Sequence, residues 1–205
     1  MKKAISIVDY SMGNILSVAR MIESLGLNFE IVDTKEGILN AQHLILPGVG
    51  HFGRAMDVLR KKEWEKVLHE AVIEKQIPIV GICLGMQLMT KGSEEGNVEG
   101  LGWFDTSVTK ITVDNPLRYK VPHMGWNMLE ANQNHPAILN LSESDRFYFV
   151  HSYQVAQALP EDVLTYTTYE KRFVSSLAKK AILGFQFHPE KSQDAGFSLL
   201  KSALQ

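Results

Sequence analysis

The sequence is poor in cysteine, with one in 205 residues, and it has almost no net charge, a formal -2 at pH 7. One cysteine excludes an internal disulfide framework and suits a reducing compartment, so a cytoplasmic location is expected. The near-zero charge gives no field to draw in nucleic acid or an anionic membrane surface. The first apolar stretch, Ala4-Ile5-Ser6-Ile7-Val8, stops at Asp9. That is too short for a secretory core segment and far too short to span a bilayer. Internal repeats, low-complexity tracts and Pro/Gly/Ser linkers are also missing, so residues 1–205 are expected to form a single domain. The seven histidines and the cysteine show no ligand spacing, and neither a metal nor another cofactor is expected. What is present is ordinary for a globular chain: 45% hydrophobic and 21% charged residues, enough for one sizeable core.

The first half alternates β-branched runs with helical periodicity. Strands are expected over Ile5–Val8, Phe29–Val32, His43–Leu46 and Ile77–Ile82; the last has no polar residue, as for a strand buried on both faces. Helices are expected from Ile15, with Asn14 as its cap and Gly26 as its stop, over Gly53–Glu74 and over Leu84–Lys91. This rhythm predicts an α/β fold with a mostly parallel open sheet flanked by helices. The second half predicts strands over Trp103–Val113, Gly125–Glu130, Phe147–Tyr153, Val163–Tyr169 and Ala181–Phe187, then a helix over Gln193–Leu200. These read as antiparallel hairpin additions to the parallel sheet.

A lone cysteine is more often core filling than chemistry. Here its surroundings, Gly81-Ile82-Cys83-Leu84-Gly85-Met86-Gln87, run from a buried strand through Gly-x-Cys-x-Gly into a helical segment. That is the layout of a nucleophile elbow, with cysteine in the place of serine. The flanking glycines permit the tight turn, and a helix N-terminus after it favours the thiolate. A nucleophilic cysteine needs a histidine to carry its proton and a third group to orient that histidine. His188 ends an apolar strand, Pro189 stops that strand, and Glu190 lies two residues on. Cys83, His188 and Glu190 therefore form a plausible acyl-transfer triad.

Gly48-Val49-Gly50-His51-Phe52-Gly53 matches the spacing of a dinucleotide fingerprint. It follows the third strand rather than the first, and the opening turn Asp9-Tyr10-Ser11-Met12-Gly13-Asn14 has no such glycines. A better use for Gly48, Val49 and Gly50 is an oxyanion hole built from backbone N–H groups. A dinucleotide-dependent oxidoreductase would leave the elbow unexplained, and a noncatalytic binding module would leave the intact triad without a purpose.

Taken together, the elbow, Pro47-Gly48-Val49-Gly50 and His188-Pro189-Glu190-Lys191-Ser192 resemble the class I, triad-type glutamine amidotransferases, whose sheet is flavodoxin-like. Val121-Pro122-His123-Met124-Gly125-Trp126-Asn127, with Asp9-Tyr10 and Gly13-Asn14, narrows the resemblance to the glutaminase subunits of imidazole glycerol phosphate synthases. The resemblance implies that Cys83 is the nucleophile, His188 the acid/base and Glu190 its orienter. Gly50, Gln87, Ser152 and Tyr153 would hold the glutamine. Asn14, His123, Met124, Trp126, Tyr148 and Lys191 would lie at a partner interface or ammonia gate, although Trp126 and Tyr148 also suit a core, Lys191 a solvated charge and Asn14 a plain helix cap. The implied partner is a separate cyclase barrel in a heterodimer that takes the ammonia for histidine biosynthesis; the rival is a paralogue feeding another acceptor, such as a surface-sugar amidination enzyme. Ser11 stands where this family usually carries glycine.

Overall fold

The computed structural model describes residues 4–204. In chain order these form β1 (Ala4–Val8), α1 (Ile15–Ser24), β2 (Asn28–Val32), α2 (Lys35–Leu39), β3 (His43–Gly48), α3 (Phe52–Lys61), α4 (Trp64–His69), β4 (Ile79–Cys83) and α5 (Leu84–Leu88). Then follow β5 (Thr90–Ser93), β6 (Val98–Glu99), β7 (Phe104–Lys110), β8 (His123–Asn127), β9 (Glu130–Ala131), β10 (Phe147–His151), β11 (Tyr153–Val155), β12 (Val163–Tyr169), β13 (Lys171–Lys179), β14 (Ile182–Phe185) and α6 (Gln193–Ala203). The sheet runs β2-β1-β3-β4-β14-β13-β11-β7-β5-β6, with β12 on β13 and β9 on β12. The first five of these strands are mutually parallel. Their order is that of flavodoxin-like sheets, and the antiparallel hairpins extend it on the β14 side. A separate antiparallel pair, β8 with β10, packs beside it.

The period-two pattern decides the two cores. Leu44 and Leu46 of β3 face α3 and α4 through Leu59, Trp64 and Leu68. Ile45, with Ile5, Ile7, Val80 and Ile82, faces the opposite way onto Val18 and Ile22 of α1 and Leu199 and Leu200 of α6. Both faces of the inner parallel strands β1, β3, β4 and β14 are thus dry, which explains their largely apolar sequences, whereas β2 at the sheet edge leaves Phe29 and Ile31 exposed.

Three expectations are corrected. The helix expected over Gly53–Glu74 is three pieces: α3 ends, Glu63 takes a left-handed φ of 58°, α4 restarts, and a π-wound turn covers Glu70–Glu74. The helix expected over Leu84–Lys91 is the five-residue α5, because Thr90–Ser93 leaves it to pair with β7. A ladder strand, β13, also occupies Lys171–Lys179, where the sequence showed none, and pairs β12 across a tight turn at Glu170. The opening turn supplies a reason for glycine at position 11. Ser11 has φ 70°, a region that costs a non-glycine residue about 1–2 kcal/mol. Its N–H donates to the Asp9 carboxylate at 2.9 Å, which offsets part of that cost.

Candidate active site

The C-terminal ends of β3, β4 and β14 lie side by side, with Gly48 in register with Cys83 and Phe185 with Ile82. Open α/β sheets place their sites at this edge. Cys83 closes β4 with φ 54° and ψ -109°, a strained pair of angles for a cysteine. The turn is possible because of its glycines. A Cβ on Gly85 would stand 1.8 Å from the Leu46 carbonyl oxygen, and one on Gly81 would stand 2.8 Å from the Met86 nitrogen. Glycine at 85 lets the start of α5 lie against β3. The sulfur is buried but opens onto a cavity of about 340 Å³, also lined by Val49, Gly50, Gln87, Ser152, Tyr153 and His188. Because α5 has only five residues, its dipole is smaller than the sequence suggested.

His188 reaches the cavity from the segment after β14. Its main chain is clamped to β10: the His188 N–H donates to the Tyr148 carbonyl at 2.8 Å, and Ser192 Oγ donates to the His188 carbonyl at 2.6 Å. Its ring is held as well, with Nδ1 2.8 Å from Glu190 Oε1 and both side chains almost wholly buried. Burial pushes the imidazole down, but neighbouring Cys83 and Glu190 outweigh it and lift His188 to about 10. Nε2 has no hydrogen-bond partner among the described residues. Cys83 and His188 therefore stand in electrostatic contact without a well-formed hydrogen bond, the looseness expected of a catalytic pair before substrate arrives.

Of the proposed oxyanion donors, Val49 and Gly50 line the cavity, while Gly48 is buried against the Gly85 nitrogen. The Val49 N–H is already committed: it donates to the Met12 carbonyl at 2.7 Å. The hole expected from the glycines is thus not open in this conformation. Gln87 is buried and donates its amide to the Tyr153 carbonyl at 3.0 Å and to Gln186 Oε1 at 2.9 Å, which fixes its carbonyl end. Gln186 in turn approaches Cys83 Sγ at 3.7 Å.

The interface residues divide. Met124 and Trp126 are exposed, at 62% and 48%. Trp126 is cross-strand from Tyr148, with ring centroids 5.9 Å apart, and Lys191 Nζ lies 5.8 Å from the Tyr148 ring and lines the cavity. Asn14 is half-buried at the head of α1, and its side chain makes no capping bond. His123 is corrected: it is 2% exposed and stacks on Tyr169 at 4.0 Å, so it presents no surface to a partner. Instead its Nδ1 lies 3.1 Å from His151 Nε2, and His151 Nδ1 lies 2.8 Å from the Tyr153 carbonyl. A carbonyl only accepts, so His151 Nδ1 carries the proton and its Nε2 accepts from His123. Burial holds His151 down at about 3 and His123 at about 4, and both rings stay neutral. The pair props the Ser152–Tyr153 edge of the cavity.

Sequence reasoning missed His151 and Glu95. Glu95 lines the cavity, and its Oε2 accepts the Phe52 N–H at 2.8 Å. No local motif marks it, since only the β5–β6 turn brings it there. Among the described residues no group of three or more His, Cys, Asp or Glu is placed to hold a metal, and no helix is long and apolar enough to cross a membrane.

Residues 6–202 match the family described as glutamine amidotransferase class-I. The chain is 41% identical over 201 residues to the imidazole glycerol phosphate synthase subunit HisH 2 of Pseudomonas aeruginosa, covering 98% of each chain. It is 38% identical over 200 residues to the subunit HisH of Leptospira interrogans, covering 97% of this chain and 98% of that one. Among solved structures it superposes on PurLQS from Thermotoga maritima with a TM-score of 0.75 at 17% identity, covering 100% and 98% of the two chains. A cysteine elbow at the sheet edge, a histidine held by a buried glutamate and near full-length likeness to the HisH proteins agree: the chain belongs to the class-I glutamine amidotransferase family.

Proposed function

We propose that this chain is the glutaminase subunit of an imidazole glycerol phosphate synthase, one domain over residues 1–205 working in the cytoplasm beside a cyclase barrel. The observation that carries the reading is the buried His188–Glu190 pair beside Cys83 in a glutamine-sized cavity. Cys83 thiolate attacks the carboxamide carbon of glutamine, and His188, held as imidazolium, protonates the departing ammonia. A glutamyl thioester remains. Acylation removes the sulfur's charge, and with it one of the two neighbours that lift His188. Burial then pushes the imidazole toward neutrality, and it takes a proton from the water that releases glutamate. One histidine thus serves as acid and then as base because its anionic neighbour is consumed between the steps.

Glutamine would sit with its α-ammonium on Glu95 and its amide end toward Cys83, between Gln87 and the Ser152–Tyr153 edge. A charge-assisted hydrogen bond of this kind is worth about 1.5–3 kcal/mol. Glu95→Gln keeps the Phe52 contact and loses the charge, so KM for glutamine is expected to rise about 10- to 100-fold with kcat little changed. Steady-state kinetics decide it, and an unchanged KM removes Glu95 from the substrate.

Ammonia would pass to the cyclase, which makes imidazole glycerol phosphate and aminoimidazole carboxamide ribotide. Exposed Met124 and Trp126 flank half-buried Tyr148, and Lys191 beside the Tyr148 ring links this apolar face to the cavity mouth. The names of several relatives carry copy numbers, 2 in Pseudomonas aeruginosa, Methanococcus maripaludis and Nitrobacter winogradskyi. A second reading follows from them: one copy serves another acceptor, such as a surface-sugar amidination enzyme. Mixing the chain with the cyclase from the same source should raise glutaminase activity on addition of the ribonucleotide ligand. Absence of stimulation would favour the second reading.

A further inference from the structure

Tyr10 follows β1 and is wholly buried, yet its hydroxyl has no hydrogen-bond partner among the described residues. A buried unpartnered hydroxyl costs free energy that phenylalanine, with the same ring, would not. The hydroxyl lies against the catalytic edge: a Cβ on Gly48 would stand 2.7 Å from it, and Gly48 is in register with Cys83. Burial and the proximity of Cys83 both push the phenol far above its ordinary range, so it remains a neutral O–H donor.

The same turn supplies Met12, whose carbonyl binds the Val49 N–H. That N–H is the donor that a developing oxyanion needs. In a trans peptide the N–H and C=O point in opposite directions. Rotating the Gly48–Val49 peptide to aim its N–H into the cavity therefore turns the Gly48 carbonyl toward the Tyr10–Met12 turn. There it meets the Met12 carbonyl, acceptor against acceptor, and one hydrogen bond has been lost. The unused donor beside Gly48 is Tyr10.

We propose that Tyr10 is a positioning residue whose hydroxyl donates to the Gly48 carbonyl in the turnover form, replacing the Val49–Met12 bond and holding the Val49 N–H on the oxyanion. This rests on the glutaminase reading of the site. It separates what Tyr10 does at rest, where its hydroxyl is a burden, from what it does in turnover.

The test is Tyr10→Phe in the complex with the cyclase, beside the wild type. The expected result is a kcat for glutamine hydrolysis lowered about 10- to 100-fold at unchanged KM. Two readouts exclude a merely structural role. The Tm of the resting chain should be equal to or above that of the wild type, and Cys83 alkylation by iodoacetamide at fixed pH should stay within about twofold. A kcat within about twofold of the wild type overturns the assignment. So does a lowered Tm with parallel loss of activity and alkylation, which would make Tyr10 core support. Alkylation slowed with Tm unchanged also overturns it, by assigning the hydroxyl to the sulfur instead. A wild type that hydrolyses no glutamine would overturn the glutaminase reading and this inference with it, whereas an active wild type with an unimpaired Tyr10→Phe removes Tyr10 alone.

Discussion

Cys83→Ala should fold normally and lose glutamine hydrolysis by about 100,000-fold or more, the scale seen when the nucleophile of a triad is removed. The complex with the cyclase should still make product from added ammonium salts. Alanine keeps the Cβ, so the left-handed φ of 54° at this position is no more strained than in the parent. The hydrogen bond that Gln186 donates to the sulfur at 3.7 Å is weak, because sulfur is a poor acceptor, and carries little of the fold. Losing Cys83 withdraws part of the lift on His188 and so a modest part of the stability, while chemistry vanishes entirely, and that contrast makes the variant informative. Glutamate release is the first readout and ammonia-dependent synthesis the second. Glutamate release surviving in the variant would remove Cys83 from the mechanism.

The sequence was most legible where burial is complete and local. The strand at Ile5–Val8 and the elbow around Cys83 each show in a short window, because a dry strand must be largely apolar and a tight turn must be glycine, while Val163–Tyr169 shows through its β-branched and aromatic residues. The break at Glu63 was not legible: Lys62-Glu63-Trp64 contains neither glycine nor proline, and a glutamate takes the left-handed angle instead. Strand β13 was hidden by polar residues in a buried place. Ser175 and Ser176 are buried because their hydroxyls meet Thr165 across the ladder, at 2.9 and 2.5 Å, a pairing that exists only after folding. At the site, His188 and Glu190 were legible as near neighbours of a strand end. Glu95, His151 and Tyr10 were not, since each reaches the cavity or the catalytic edge through a turn distant in sequence. His123 shows the converse error: its motif pointed outward, while the alternation of β8 sends Met124 and Trp126 to the surface and His123 inward.

Glu190→Gln should lower kcat for glutamine hydrolysis about 1,000- to 10,000-fold while leaving KM nearly unchanged, as expected when the group that orients a catalytic histidine is replaced by an amide. Among the described residues the Glu190 carboxylate bonds to Nδ1 of His188 alone, at 2.8 Å, and Glu190 is not among those that line the cavity, so substrate binding should not register its loss. The same substitution has a stability signature with a defined sign. His188 is lifted from an ordinary 6.5 to about 10, so the folded chain holds a proton there that the unfolded chain releases. That contribution is fully present below about pH 6.5 and is lost as the pH rises through about 10. Removing the Glu190 charge withdraws part of the lift. The Tm difference between parent and variant should therefore be largest in mildly acidic buffer and shrink toward pH 10. A gap that stays constant across this range would mean that Glu190 supports the fold by packing alone, and that its hold on the His188 proton is not what the enzyme uses.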